Sequence, residues 1–171
     1  DMDLMGGLGK LMPYTAFCFL IGTMAISALP PFNGFVSEWF TYQSLFTLSQ
    51  SDDFVLKLVG PIAIIMLALT GALAALCFVK VYGISFGGAP RSEKAANARE
   101  VPKPMVIAMA VLALCCVLLG VGASVVTPII AKISTALAHS EPLMLAQNGV
   151  VVAQAEPHTA LSTPMVTIML L

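Results

Sequence analysis

Charged residues are scarce in this chain. Only 10% of its 171 residues are Asp, Glu, Lys or Arg, whereas 58% are hydrophobic. Soluble domains carry about 25% charged residues, and the mean hydropathy here is +0.94. The composition therefore argues against a soluble domain and predicts an integral membrane protein. The net charge of −1 and the lack of a polybasic run argue against nucleic acid as a partner.

Cysteine is also sparse and carries no site pattern. The four cysteines lie within apolar runs and form no CxxC pair; they are Cys18, Cys77, Cys115 and Cys116. Such cysteines are typical of small side chains that face lipid or other helices. We therefore expect no disulfide framework, iron–sulfur cluster, zinc site or other cofactor in this part of the protein.

The two ends of the sequence predict a piece of a longer protein. The chain starts at Asp1, and no charged region followed by a short apolar segment opens it, so no signal peptide is predicted. At the other end, an apolar run from Pro164 to Leu171 stops abruptly.

Long hydrophobic runs dominate what is present. A helix that crosses about 30 Å of hydrocarbon needs about 20 residues. Four runs meet this length approximately and predict spans at 11–29, 33–50, 58–84 and 104–131, and another span starts at 161. We therefore expect an all-α fold, a polytopic transmembrane helix bundle.

Basic residues predict the orientation of these spans, because loops rich in Lys and Arg stay in the cytoplasm. The loop 87–103 is predicted to be cytoplasmic, since it carries Arg91, Lys94, Arg99 and Lys103. Alternation across four spans then places residues 1–10, the turn 51–57 and the outer loop 132–160 on the opposite side.

A helix break is predicted between the first two spans. Pro31 has no backbone N–H and disfavours helix at Pro30. Asn33 is predicted to be the N-cap of the next helix, and Gly34 permits close backbone approach. Broken helices at membrane depth mark ion paths in transporters, whereas a tight turn at the membrane surface is the alternative.

Glu38 lies inside the second predicted span, about 7–8 Å beyond Asn33 at 1.5 Å per residue. An acid in a membrane span is costly and marks a functional site by default. A carboxyl group in apolar surroundings both takes and releases protons near neutral pH. We predict that Glu38 carries protons, with Ser37, Thr41 and Tyr42 as polar neighbours. The alternative is an acid that complements the helix dipole at the membrane interface.

Lys80 is the second ionisable candidate, because it ends an uncharged run of 22 residues and apolar residues continue after it. It either extends to the cytoplasmic headgroups or is a desolvated amine coupled to an acid on a neighbouring helix. The predicted topology places both Glu38 and Lys80 toward the cytoplasmic half, so a Glu38–Lys80 pair in a proton path is feasible.

Two motifs carry a family resemblance: Met5-Gly6-Gly7-Leu8 with Met12-Pro13, and the stretch from Ala28 to Trp39 that reads ALPPFNGFVSEW. They resemble the antiporter-like membrane subunits of respiratory complex I, multisubunit cation/proton antiporters and membrane-bound hydrogenases. With the following Tyr42 to Phe46, the second motif looks most like the branch of hydrogenase-4 component B and the formate hydrogenlyase membrane subunit. The resemblance covers residues 1–104.

The resemblance implies a fold of fourteen core helices in two inverted repeats, each with a discontinuous helix. Residues 11–29 look like helix 11, 33–50 like the broken helix 12, 58–84 like helix 13 and 104–131 like helix 14. Glu38 falls on the position where the family has an ionisable Lys or Glu in the proton path.

By the same resemblance, the chain is part of a proton-translocating subunit of a hydrogenase-4, formate hydrogenlyase or related respiratory complex in the bacterial inner membrane. It would itself be non-catalytic. Iron–sulfur and nickel–iron centres are expected only in partner subunits, which are other membrane and hydrophilic subunits. The alternatives are a structural membrane anchor without transport and one of the subunits of a Na+/H+ antiporter.

Overall fold

The computed structural model describes residues 2–138, 151–152 and 161–162, and most of this range is helical. The helices are α1 (Leu8–Leu11), α2 (Pro13–Ile26), α3 (Asn33–Ser49), α4 (Phe54–Phe86), α5 (Glu93–Ala96), α6 (Lys103–Val121) and α7 (Ala123–Ala138). A one-turn 3-10 helix at Met2–Leu4 precedes them, and Val151–Val152 pairs antiparallel with Leu161–Ser162. Apart from this short pair, the all-α helix bundle predicted from the sequence is confirmed.

Two of the described helices, α4 and α6, are long and apolar enough to cross a membrane. The 33 residues of α4 extend over about 50 Å at 1.5 Å per residue, and they exceed the predicted span 58–84 at both ends. By contrast, α2 is apolar but has only 14 residues, fewer than the about 20 that a single crossing needs.

The burial of α4 follows a helical period. Buried or half-buried residues recur every three or four positions along one face, namely Gly60, Ile64, Leu67, Gly71, Ala74, Phe78, Tyr82 and Ser85. The opposite face exposes large apolar side chains, among them Leu58, Ile62, Leu69, Leu73 and Leu76. One face of α4 therefore packs within this chain, and the other is suited to lipid or to further helices.

Helices α2 and α3 both run antiparallel to α4 and occupy successive stretches of it. On α2, Phe19 packs against Phe86, the last residue of α4, with ring centroids 5.3 Å apart. Further along the chain, α3 approaches α4 first at Gly71 and then, at its own far end, at Gly60. Because the contacts move steadily toward the start of α4, α2 and α3 are two halves of one broken helix.

The predicted break lies between these halves, at residues 27–32. The Pro30–Pro31 peptide bond is cis, and Ala28 has a φ of 51°, which L-residues rarely adopt. Helix α3 begins at Asn33, and the N-cap position belongs to Phe32, whose side chain makes no capping bond. The predicted N-cap role of Asn33 is therefore wrong by one residue, because Asn33 already belongs to the first helical turn.

Three helices meet at the break without spare room. A Cβ at Gly34 would collide with the carbonyl oxygen of Ala25, near the end of α2. A Cβ at Gly120 of α6 would collide with the backbone of Pro31 and Phe32. The two glycines thus allow the break to pack against both neighbouring backbones.

The N-terminal segment lies at the same end of the bundle as the loop 87–103. The N–H of Gly7 donates to the carbonyl of Gly87 at 2.8 Å, and the hydroxyl of Ser92 donates to the carbonyl of Leu4 at 2.8 Å. The prediction that residues 1–10 lie opposite this loop is therefore wrong. It counted α2 and α3 as two antiparallel spans, whereas they run in the same direction.

The end of the chain differs from the predicted boundaries as well. The predicted span 104–131 is interrupted at Gly122, between α6 and α7. Helix α7 continues to Ala138, so the predicted outer loop 132–160 is helical over its first residues. The predicted span from 161 lies outside the described residues, apart from Leu161–Ser162.

Candidate functional site

Glu38 lies at the middle of the bundle rather than at one of its ends. Its side chain is half-buried on α3, and its carboxylate oxygens lie 3.7 and 3.8 Å from the position that a Cβ of Gly71 would occupy. Counted from Phe54, Gly71 is the eighteenth of the 33 residues of α4. The carboxylate therefore faces α4 about 22–26 Å from either end of that helix, at 1.5 Å per residue.

Lys80 lies far from Glu38 in the structure. It lies nine residues beyond Gly71 on α4, which is about 13–14 Å along the helix axis. Nine residues at about 100° each also turn it to the opposite face of α4, where it is exposed. The Glu38–Lys80 pair considered from the sequence is therefore not formed.

The three predicted polar neighbours of Glu38 divide into two groups. Ser37 and Thr41 are exposed, and their hydroxyls donate to the carbonyls of Gly34 and Ser37, both at 2.9 Å, within their own helix. Tyr42 is half-buried and follows Glu38 by one helical turn on the same face. Of the three, only Tyr42 is therefore placed to interact with the carboxylate.

A second polar row on α3 was not singled out from the sequence. Gln43 is buried, with 7% of its surface exposed, and Trp39 precedes it by one turn. Within the described part of the chain, the indole N–H of Trp39 is buried without a hydrogen-bond partner. The spacing of four residues was the available signal, but Trp is also common at membrane interfaces.

Glu100 is the other site that the sequence did not reveal. One carboxylate oxygen accepts the N–H groups of Tyr14 at 3.0 Å and Thr15 at 3.4 Å. The other accepts the Thr15 hydroxyl at 2.6 Å and the N–H of Val101 at 3.1 Å. The carboxylate thus caps the first turn of α2 from the loop 87–103, at the positive end of the helix dipole.

The electrostatics of Glu100 match this geometry. Chiefly the Thr15 hydroxyl, with help from the backbone N–H groups and against a smaller effect of desolvation, lowers the pKa of the Glu100 carboxyl below its ordinary value of 4.5. The group is therefore ionised throughout the neutral pH range. Met12, which precedes α2, supplies no side-chain cap of its own.

A cleft of about 310 Å³ extends along α2, between α4 and α6. It runs from Thr15, beside Glu100, to Ile26, at the edge of the break. Its walls are mainly apolar, and Thr15 and Thr23 contribute the hydroxyl groups. The Thr23 hydroxyl donates to the carbonyl of Leu20 at 2.7 Å within α2.

Metal-binding groups do not cluster in the part of the chain that the structure covers. Across residues 2–138 and the two short strands, no three His, Cys, Asp or Glu side chains lie close enough to hold a metal ion. Cys18 and Cys116 line the cleft, and Cys77 and Cys115 are exposed.

Comparisons with known proteins identify the relatives of this chain. Residues 1–66 match the family described as NADH:quinone oxidoreductase/Mrp antiporter, TM. The whole chain is 49% identical to hydrogenase-4 component B of Escherichia coli K12 and covers 25% of that protein. It is also 44% identical, over its whole length, to formate hydrogenlyase subunit 3 of the same organism, of which it covers 26%.

A more distant relative belongs to a cation/proton antiporter. It is one of the Na(+)/H(+) antiporter subunits of Alkalihalophilus pseudofirmus, and the chain is 27% identical to it over 113 residues, which are 66% of this chain and 14% of the relative. The chain spans about a quarter of the length of the two Escherichia coli relatives. The resemblance inferred from the ALPPFNGFVSEW motif is confirmed, and the chain belongs to the membrane-subunit family shared by NADH:quinone oxidoreductases and Mrp antiporters.

Proposed function

We propose that this chain is part of a proton-translocating, multi-pass subunit of a hydrogenase-4-like or formate hydrogenlyase-like complex in the bacterial inner membrane. The two Escherichia coli relatives, which match the whole chain, support this class of complex. Redox chemistry at iron–sulfur and nickel–iron centres would belong to partner subunits. This part of the protein would contribute the route for protons.

The basic residues support an arrangement in which the broken helix is one membrane pass. If α2 and α3 together cross once, α4 returns and α6 starts the next pass. Most of the basic side chains then lie at one end of the bundle; they are Lys10, Arg91, Lys94, Arg99 and Lys103. Lys57 lies at the other end, with Asp52 and Asp53. The positive-inside rule makes the first end cytoplasmic.

The observation that carries the proposal is the depth of Glu38. Its carboxylate faces the midpoint of α4, and Glu38 lies about one and a half turns beyond Asn33, where α3 begins after the break. Helix ends leave backbone N–H and C=O groups without intrahelical partners, and at membrane depth such groups are either buried within protein or line water-filled cavities. A carboxyl group beside such a break takes a proton from one side and passes it to the other.

The test is Glu38→Gln in the full-length subunit of the intact complex. Gln keeps the shape of the side chain but neither takes up nor releases a proton. Removal of a positioned proton-transfer group typically costs about 100-fold or more in rate. We therefore expect proton transport into membrane vesicles to fall by about 100-fold, while the amount of assembled complex stays unchanged. Glu93→Gln, an exposed acid on α5, is the matched control and should transport normally.

Unchanged proton transport in assembled Glu38→Gln complex would contradict the proposal. Loss of assembly with normal transport per assembled complex would indicate a structural anchor instead. A requirement for sodium in the same vesicles would favour the cation/proton antiporter alternative, in line with the antiporter relative.

A further inference from the structure

The first turn of α2 depends on a residue far away in the sequence. The first N–H groups of any helix have no intrahelical partner. Here Pro13 opens α2 and has no N–H to satisfy, while those of Tyr14 and Thr15 are both accepted by Glu100. With the Thr15 hydroxyl, three donors of α2 converge on one carboxylate from the loop that leads into α6.

The far end of α2 is equally constrained. The carbonyl of Ala25 lies so close to Gly34 that a Cβ there would collide with it, and α6 abuts the break at Gly120. Backbones in direct contact, as at these two glycines, transmit the displacement of one helix to the next. A shift of α2 along its axis would therefore move Gly34, which precedes Glu38 by four residues, or one helical turn.

We propose that Glu100 is a positioning residue for proton transfer: by capping α2, it holds this half-helix against the break and thereby sets the location of Glu38. This inference rests on the proposed function of Glu38. Glu100 is more than one half-helix away from the carboxyl group that it positions, and it takes no part in the proton transfer itself.

The experiment uses the full-length subunit in the intact complex, with Glu100→Gln as the main variant. Thr15→Val is a milder variant, because it removes one of the three bonds from α2 and keeps the two backbone bonds. Glu93→Gln is the matched control, since it removes an exposed acid from the same loop without changing the contacts of α2. Two quantities are measured: hydrogen exchange at the Tyr14 and Thr15 amides, and protons transported per redox turnover.

Loss of a helix cap typically weakens the first turn enough to speed exchange there about fivefold. For Glu100→Gln we expect about fivefold faster exchange at both amides and at least a twofold lower ratio of protons to turnovers. Thr15→Val should move both quantities in the same direction by less, and Glu93→Gln should move neither. A purely structural role would change the amount of complex but not its ratio of protons to turnovers.

Unchanged hydrogen exchange at the Tyr14 and Thr15 amides in Glu100→Gln would contradict the proposal that Glu100 stabilises the first turn of α2. Faster exchange with an unchanged ratio of protons to turnovers would show that Glu100 caps α2 but does not position Glu38. If Glu100→Gln fails to assemble, the same two measurements on Thr15→Val test both the cap and the positioning role. Failure of the proposed function is recognised separately, because the Glu38→Gln complex would then transport protons normally whatever the exchange at Tyr14 and Thr15.

Discussion

At the scale of single residues, the carboxylate of Glu38 faces a glycine, Gly71, on the neighbouring helix α4. Gly71 has no side chain, and the carboxylate oxygens lie at ordinary contact distance from the position that its Cβ would occupy. The sequence identified Glu38, because an acid in an apolar span stands out. It could not identify Gly71, because the partner of Glu38 depends on how α3 is shifted along α4, and that register is fixed by packing at distant positions such as Gly60.

Gly71→Leu should therefore impair proton transport. The added side chain would occupy the space of the carboxylate and displace it, and misplacement by about 1 Å of a group that takes part in chemistry costs about 100-fold in rate. Gly83→Leu is the matched control, because nothing lies within 4 Å of that position on the same helix. Proton transport by the two assembled variants is compared in vesicles. Equal rates in both would contradict the placement of Glu38 against Gly71.

At the scale of helices, the break was predictable, but its consequence was not. Two prolines in succession cannot continue a helix, and this could be inferred from the sequence alone. The apolar runs on either side each looked like a separate span, because hydropathy does not distinguish a full crossing from half of a broken one. The length of α2 held the information: its 14 helical residues are too few for a complete crossing.

The break should be sensitive to volume at the point where α6 crosses it. Gly120→Ala adds a methyl group that collides with the backbone of Pro31 and Phe32, and overpacking of this kind costs about 1–3 kcal/mol. Gly22→Ala on α2 is the matched control, since nothing lies within 4 Å of it. Thermal unfolding of the purified complex should show a lower midpoint for Gly120→Ala alone. Equal midpoints would show that α6 does not pack against the break.

At the scale of the whole molecule, composition sufficed for the class of protein, and the ALPPFNGFVSEW motif sufficed for the family. The side of the membrane predicted for residues 1–10 was wrong. When one span too many is counted, all residues before it are assigned to the opposite side. The contact of Glu100 with Thr15 could not be foreseen either, since the two residues lie 85 positions apart in the sequence. Neither residue has a local pattern that indicates its partner.

The central claim is that α2 and α3 form one broken pass with Glu38 midway along it. Side-specific labelling of single cysteines in the full-length subunit tests this most directly, in a background without the native cysteines. Lys10→Cys, Arg91→Cys and Asp52→Cys all alter exposed positions. The account predicts that a membrane-impermeant reagent reaches Lys10→Cys and Arg91→Cys from the cytoplasmic side and Asp52→Cys from the opposite side. Labelling of Lys10→Cys from the same side as Asp52→Cys would contradict it.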